Sequence, residues 1–453
     1  MNKKQILEKL KGNIKFENVE SNSFNNVQWK AEICNRESIL FYNLHDTMMA
    51  KEAFLKKVDQ TNYGVIVTDN LIDEITKVSN VIVVENDFWM KAQSLICDEF
   101  YPMNSIYKIG ITGTNGKTTT SDLLMKILSQ NNQRAIVVGT LGVVDISGVV
   151  FETGLTSPPY IWNRKFIHDY QDYDAIIFEV SSHALVQKRF FDIRFDSGAW
   201  TSFSQDHLDY HKTMDEYFRA KSLLLDYLKD DANLYISSRE TEILSKLKSK
   251  KVKMSREFND IVQNPPLFFQ SEFNEKNLEN AYSLAENIIG DISVDFEKLD
   301  STPGRFNVFE KGDVKIIIDF AHTPDALINI CEGIKKVYPS SRLITIFGCG
   351  GDRDKTKRPL MGAAVSQFSD FAYLTSDNPR NEAPMNIIKD IVPGMKIEHD
   401  IIEDRAQAIK QAIDNSKSND IILIAGKGHE NYILQNGEKR DYSDEREVLK
   451  NIK

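Results

Sequence analysis

At 453 residues the chain has room for about three domains, and its 41% of apolar residues suffices to build their cores. A formal net charge of −10 gives no electrostatic footprint for nucleic acid, although local Arg and Lys can still meet a small anionic substrate. Four scattered cysteines, Cys34, Cys97, Cys331 and Cys349, show neither metal spacing nor a disulfide framework. Met1 to Lys15 is lysine-rich and lacks the unbroken apolar core of a secretory signal, and no apolar run approaches the roughly 20 residues of a membrane span. The expectation is a soluble, cytoplasmic monomer with no nucleic-acid partner and no membrane insertion.

Residues 1 to about 103 read as a small α/β unit. Ser38 to Tyr42, Tyr63 to Val67 and Val81 to Val84 are its expected strands, and no catalytic constellation stands out among them. The apolar run Ile106 to Ile111 then enters Gly113-Thr114-Asn115-Gly116-Lys117-Thr118, and an amphipathic stretch, Leu123 to Leu128, leaves it. A strand, a glycine-bearing turn and a helix make a phosphate cradle, because glycines let backbone N–H groups turn inward and the helix N-terminus adds partial positive charge. In that cradle Lys117 reaches the outer phosphates and Thr118 is placed for a magnesium ion. The strict pattern has glycine where this chain has Ile111, and an ordinary βα turn is the alternative.

Strands and helices alternate from there: Ala135 to Val138, Ala175 to Val180, then a helical Met214 to Leu228. Such alternation predicts a parallel sheet covered by helices on both faces. Glu179 ends one strand, where a carboxylate is the usual magnesium partner of a phosphate loop, or else a solvated strand end. His207 and His211 stand four apart in Asp206-His207-Leu208-Asp209-Tyr210-His211, but Leu208 sits where a hydrolytic zinc helix needs Glu. Two readings stay open for these histidines: a metal or phosphate neighbour, or a structural role. Lys221 shares a helix face with Tyr217, Phe218, Leu224, Leu225 and Leu228. Either it snorkels, or burial lowers its pKa enough for the neutral amine to add carbon dioxide and become an anionic carbamate.

A polar, less patterned zone, Ser237 to Asn274, leads to a helix around Leu278 to Ile288 and a break near Ser301 to Gly304. Beyond it come four buried-strand runs, Val314 to Ile318, Leu343 to Phe347, Phe371 to Leu374 and Ile421 to Ile424. Ligands in such sheets bind at the carboxyl ends of the strands. There lie the loop from Gly348 to Arg358, the turn Asp377-Asn378-Pro379-Arg380, and Gly426-Lys427-Gly428-His429-Glu430. Arg380 follows the Asn-Pro turn and offers a planar fork for a carboxylate.

Together with Asp319-Phe320-Ala321-His322-Thr323-Pro324-Asp325, these strings resemble the Mur ligases, the ATP-dependent amino-acid-adding enzymes of peptidoglycan synthesis, over nearly all of residues 104 to 453. The resemblance is strongest to the branch that adds meso-2,6-diaminopimelate to the D-glutamate γ-carboxylate of UDP-N-acetylmuramoyl-L-alanyl-D-glutamate. It implies three α/β domains: residues 1–103 for the UDP-muramoyl substrate, a central P-loop ATPase-like parallel sheet in 104–302, and a C-terminal Rossmann-like domain in 303–453. That family's phosphate loop also lacks the first glycine, so Ile111 fits it.

The resemblance further implies ATP and Mg2+. Lys117, Glu179, His207 and Lys221 would be catalytic, with Thr118 and Glu179 on one magnesium and His207 and carbamylated Lys221 on a second. Gly113, Thr114, Asn115, Gly116, Thr118, Thr119, Asn277, Arg305, Asp319 and His322 would complete the nucleotide site. Thr156, Ser157, Ser181, Arg189 and Lys221 would grip the muramoyl dipeptide, and Arg353, Asp377, Asn378, Pro379, Arg380, Gly426 and Glu430 the diaminopimelate. The family's uridine-contacting segment has no clear counterpart, since the nearest stretch, Cys34 to Phe41, lacks its glycine. The implied reaction is amide synthesis through an acyl phosphate. A folylpolyglutamate synthase shares the phosphate loop and lysine chemistry, but the Asp377 to Arg380 and Asp206 to His211 strings argue against it. A nucleotide-dependent scaffold protein would need a damaged catalytic set, and this one is complete.

Overall fold

The computed structural model describes residues 1–21, 23–43, 52, 56, 62–71, 77–299 and 301–452. Among the described residues three large sheets lie along the chain, with a two-stranded antiparallel ribbon, Tyr432–Gln435 and Glu438–Asp441, near its C-terminal end. The first orders Ile14–Asn18, Val81–Val84, Val65–Thr68, Ser38–Phe41 and Asn26–Gln28, with only the Ile14–Asn18 edge antiparallel. The three strands read from the sequence are its fully buried centre, as expected for β-branched runs covered on both faces.

The second sheet has eight strands in the order Val252–Met254, Leu228–Ile236, Phe195–Trp200, Tyr107–Thr112, Ala175–Glu179, Ala135–Gly139, Gly142–Asp145 and Gly148–Phe151. The first six are parallel, and the last two form an antiparallel extension. Alternate residues bury against opposite faces. Ile176 and Phe178 join a core shared with the N-terminal sheet, whereas Ala175 and Ile177 pack under the helices Lys117–Gln130 and Glu272–Ile289.

One sequence expectation changes here. The helix expected from Met214 to Leu228 is two, Met214–Ser222 and Leu224–Tyr227, and Leu228 already opens a strand. Leu228 continues the helical stripe, so helical periodicity ran past the true end. The period-2 burial of Ala232, Leu234 and Ile236 marks the strand instead. The polar zone carries the short helices Thr241–Lys246 and Phe258–Ile261 and the edge strand Val252–Met254.

The third sheet orders Asn307–Lys311, Val314–Asp319, Ile421–Ala425, Leu343–Phe347, Phe371–Leu374 and His399–Ile401. All but the first are parallel, so the loops after Asp319, Phe347, Leu374 and Ala425 emerge at one edge. The N-terminal and central sheets share one continuous core, pinned by a hub at Arg164. Its buried guanidinium donates to Asp98 Oδ1 at 2.7 Å, the Tyr101 carbonyl at 3.0 Å and Asp192 Oδ2 at 3.1 Å. The C-terminal sheet has its own two cores. Among the described residues, no helix is long and apolar enough to cross a membrane.

Candidate active site between the central and C-terminal sheets

The phosphate loop is shaped by backbone requirements. Gly116 caps the helix Lys117–Gln130 at φ +85°, and a Cβ there would lie 2.3 Å from Asn277 Oδ1. Gly113 has φ +152°, and a Cβ there would lie 1.9 Å from Thr201 Oγ1. Only glycine fits two such close approaches. Thr114 and Asn115 are tied to the next strand end, Thr114 N–H to the Ser202 carbonyl at 3.0 Å and Asn115 N–H to Ser202 Oγ at 2.9 Å. Asn115 Nδ2 also reaches across to the C-terminal domain, donating to Asp325 Oδ2 at 3.0 Å.

Lys117 folds back over the loop and donates to the carbonyls of Gly113 at 2.8 Å and Thr114 at 3.0 Å. Lys221 Nζ donates to the same Gly113 carbonyl at 2.8 Å. Lys221 is 1% exposed, which excludes snorkelling. Burial, reinforced by the Lys117 charge, holds its pKa well below the usual lysine value. Burial lowers the Lys117 pKa as well.

Glu179 is 1% exposed, so it is no solvated strand end. Its Oε2 accepts from Thr118 Oγ1 at 3.0 Å and Thr140 Oγ1 at 2.9 Å, and its Oε1 from Thr140 N–H at 3.0 Å. Thr140 Oγ1 lies 3.0 Å from Thr156 Oγ1. Thr140 was missed by sequence reasoning, yet it follows the strand Ala135–Gly139, and its place at a strand end beside the phosphate loop was the available signal.

The histidines separate by role. His211 Nε2 lies 2.9 Å from Ser182 Oγ, an internal contact. His207 adopts φ +56° and lines the cavity over the phosphate loop, with Nε2 3.4 Å from Asp206 Oδ2. Burial pushes the His207 pKa down to about 3 against the pull of Asp206, so the ring is neutral and offers a lone pair. Asp206 in turn meets Lys357 Nζ of the C-terminal domain at 3.3 Å, a pair the sequence did not suggest. Burial opposes its ionisation, but Lys357 and His207 hold its carboxyl well below the usual range.

A cavity of about 350 Å³ brings Thr114 to Thr119, Asn277, His207, Arg305, Asp319 and His322 together, with Phe268 and Phe273 at its wall. Arg305 stacks over Phe320 at 4.3 Å, and its Nε is buried without a protein partner. Asp319 accepts from Phe306 N–H at 2.9 Å and Ala321 N–H at 2.7 Å. Burial raises the Asp319 pKa despite Arg305 and lowers that of His322 to about 4.

A second cavity of about 1070 Å³ adjoins the first, and Thr140, Thr156 and Phe320 line both. Arg353, Arg380 and Glu430 face this second space. Arg380 has φ +51° and donates through Nη1 to the Gly351 carbonyl at 2.8 Å. Arg353 Nη1 lies 4.0 Å from Asp209 Oδ2 of the central domain. Asp377 Oδ1 caps Asn378 N–H at 2.7 Å, and Asn378 Nδ2 donates to Glu430 Oε2 at 2.7 Å. Gly426 has φ +115° and gives Asp377 room, since a Cβ would lie 2.6 Å from its Oδ2. The Pro379 carbonyl closes on Gly351 in the same way, 1.9 Å from where a Cβ would stand.

Of the residues expected to grip the muramoyl dipeptide, Thr156 lines both cavities. Ser157 is turned inward: its Oγ donates to the Glu179 carbonyl at 2.7 Å and accepts from Ser181 N–H at 2.9 Å. Ser181 caps the helix Ser182–Val186, and Arg189 donates to the Ser157 carbonyl and to Gln187 Oε1.

Residues 111–308 match the Mur ligase middle domain, and residues 304–428 match the Mur ligase glutamate ligase domain. The chain is similar to UDP-N-acetylmuramoyl-L-alanyl-D-glutamate–2,6-diaminopimelate ligase 1 of Clostridium acetobutylicum, 34% identical with 98% of each chain covered. A solved structure of a UDP-N-acetylmuramoyl-L-alanyl-D-glutamate–2,6-diaminopimelate ligase is 27% identical, with 95% of this chain and 94% of that one covered at a TM-score of 0.55. The MurF ligase of Thermotoga maritima in complex with ADP shares the fold at a TM-score of 0.62 and 13% identity, covering 88% of this chain and 93% of its own. By its two matched domains and its full-length relatives, this chain belongs to the Mur ligase family.

Proposed function

We propose that the chain is an ATP-dependent ligase that joins meso-2,6-diaminopimelate to the D-glutamate γ-carboxylate of UDP-N-acetylmuramoyl-L-alanyl-D-glutamate, for peptidoglycan precursor synthesis. One observation carries this reading. A phosphate-binding cavity opens, through Thr140, Thr156 and Phe320, onto a second cavity with paired arginines and a carboxylate. A phosphorylated acyl group made in the first can therefore be attacked by an amine held in the second. Relatives that carry this activity by name match nearly the whole chain.

The residues support the following chemistry. The backbone of Gly113 to Thr118 and the N-terminus of the helix Lys117–Gln130 cradle the ATP phosphates. Lys117, released from the Gly113 and Thr114 carbonyls by the nucleotide, follows the charge onto the γ-phosphate as the carboxylate attacks it. The unpartnered Arg305 Nε suits a further anionic oxygen or the ribose, and Asp319 and His322 border the same space. The amine then adds to the acyl phosphate, and inorganic phosphate leaves through a tetrahedral intermediate. The domains close over the acyl phosphate and exclude water.

Among the described residues no group of three or more His, Cys, Asp or Glu side chains forms a metal cage. Magnesium requires no such cage, since it takes few protein ligands and keeps phosphate oxygens and water. Thr118 Oγ1 and Glu179 Oε2, 3.0 Å apart, are the hard oxygen donors that would hold it, with His207 and a carbamylated Lys221 as the second set. Bound there, it would neutralise phosphate charge.

We read the domain limits as 1–103, 104–302 and 303–453, since each span holds one large sheet, the last with a two-stranded ribbon besides. All four cysteines are free, in keeping with a cytoplasmic enzyme, and we read the protein as a monomer. The test is ADP release from the purified protein with ATP and the muramoyl dipeptide, candidate amino acids being added one at a time. The reading expects release to depend on diaminopimelate. Release that depends instead on a folate substrate and glutamate would refute it.

A further inference from the structure

Lys427 has no part in the chemistry above, yet it is fully buried at the turn after the strand Ile421–Ala425. Its Nζ donates to Glu430 Oε2 at 2.9 Å and to Asn378 Oδ1 at 3.1 Å, and it stands 5.6 Å from the centre of the Tyr432 ring. The Leu434 N–H also donates to Asn378 Oδ1, at 2.9 Å. Two donors, one of them an ammonium, converge on that atom, so chemistry requires it to be the amide oxygen. The Nδ2 end of Asn378 is thereby committed to Glu430 Oε2, at 2.7 Å. Lys427, Asn378 and Glu430 close a triangle in which Oε2 takes two donors, and Oε1 is the carboxylate oxygen left for a ligand.

The surroundings make this restraint necessary. Glu430 lines the same cavity as Arg353 and Arg380, and its charge is felt at the Arg380 guanidinium. An unanchored Glu430 would be drawn to those arginines, and both poles would be lost to an incoming molecule. Held back by Lys427, the acid stays apart from the two guanidiniums. The cavity then presents a separated anion and cation pair, the complement of an amino acid end that carries both an ammonium and a carboxylate.

Resting on the functional reading above, we propose that Lys427 is the positioning residue of the amino-acid pocket. It fixes the Asn378 amide and the Glu430 carboxylate so that Glu430 Oε1 receives the ammonium of the zwitterionic end of the diamino acid while Arg380 and Arg353 receive its carboxylate.

Steady-state kinetics on Lys427→Gln, Glu430→Gln and the double variant test this. Lys427→Gln should raise KM for diaminopimelate about tenfold or more, leave KM for ATP and for the muramoyl dipeptide within about twofold, and change kcat little. The double variant should be no worse in KM than Glu430→Gln alone, because Lys427 acts through Glu430. An unchanged KM for the amino acid, equal losses for all three substrates, or additive effects in the double variant would overturn the proposal. Should Lys427→Gln fail to fold, the crystal structure of the unaltered enzyme with diaminopimelate decides. Lys427 must still hold Glu430 Oε2 with the ligand's ammonium on Oε1, and an ammonium that displaces Lys427 or avoids Glu430 overturns the role. If the unaltered enzyme uses a different amino acid, the substrate reading fails, and the same KM comparison on that amino acid still decides for or against Lys427.

Discussion

Replacing Glu179 by Gln separates its charge from its shape. In the enzyme Oε1 accepts the Thr140 N–H at 3.0 Å, and Oε2 accepts the hydroxyls of Thr118 and Thr140 at 3.0 and 2.9 Å. Gln keeps the first contact with its own oxygen. Its amide nitrogen donates to the two hydroxyls, which rotate to accept, so no buried group loses a partner. What is lost is charge assistance in three hydrogen bonds, about 1 kcal/mol each at most. Gly139 leaves no space for the side chain to shift, since a Cβ on that residue would lie 2.1 Å from Glu179 Oε1. Stability should therefore fall by only about 1–3 kcal/mol, a modest shift in Tm. Turnover should fall by about 10²–10³, as for other positioned electrostatic groups. Glu179→Ala, by contrast, strands the Thr140 N–H and adds a further cost of about 1–3 kcal/mol. ADP release at saturating substrates, titrated with magnesium, and thermal melts of both variants are the assays. A Gln variant whose kcat stays within about threefold of the parent would remove the Glu179 charge from the mechanism, whatever its melting point.

Lys221→Ala should lose about two orders of magnitude in turnover and regain part of it with added acetate. Lys221→Arg should stay inactive, because a fixed cation replaces the required anion. A 13C-bicarbonate NMR spectrum of the ATP-bound enzyme with no carbamate signal would refute the modification. Arg380→Ala should narrow the preference for diaminopimelate over lysine, since losing one partner of a buried charge pair costs about 2–5 kcal/mol. Unchanged relative kcat/KM for the two amino acids would place the selector at Arg353 instead. Burial depresses the pKa of His322 to about 4, so the folded state resists protonation that the unfolded chain accepts near pH 6.5. This contribution is neutral above pH 6.5 and turns destabilising as pH falls from there towards 4. Melts should therefore show a falling Tm between pH 7 and 5, and a flat profile would contradict it.

Much of the site was legible because its signals are local. A strand, two glycines and a helix define the phosphate loop within a dozen residues, and only glycine fits at Gly113 and Gly116. The strand-end positions of Glu179, Asp377 and Gly426 follow from apolar runs that stop at polar turns. Tertiary packing decided the rest. Whether Lys221 snorkels or is buried depends on what lies over its helix, and the Gly113 carbonyl 108 residues away answers it. The helix ahead of Leu228 ends where the next strand pairs with Phe195–Trp200, because sheet hydrogen bonding overrides a continuing apolar stripe. The Asp206–Lys357 pair spans 151 residues, and the Lys427, Asn378 and Glu430 triangle joins two strand-end loops. Sequence determined which chemical groups stand at each strand end. Only the folded sheets, by setting those ends side by side in parallel register, decided which groups share a charge, a proton donor or a cavity.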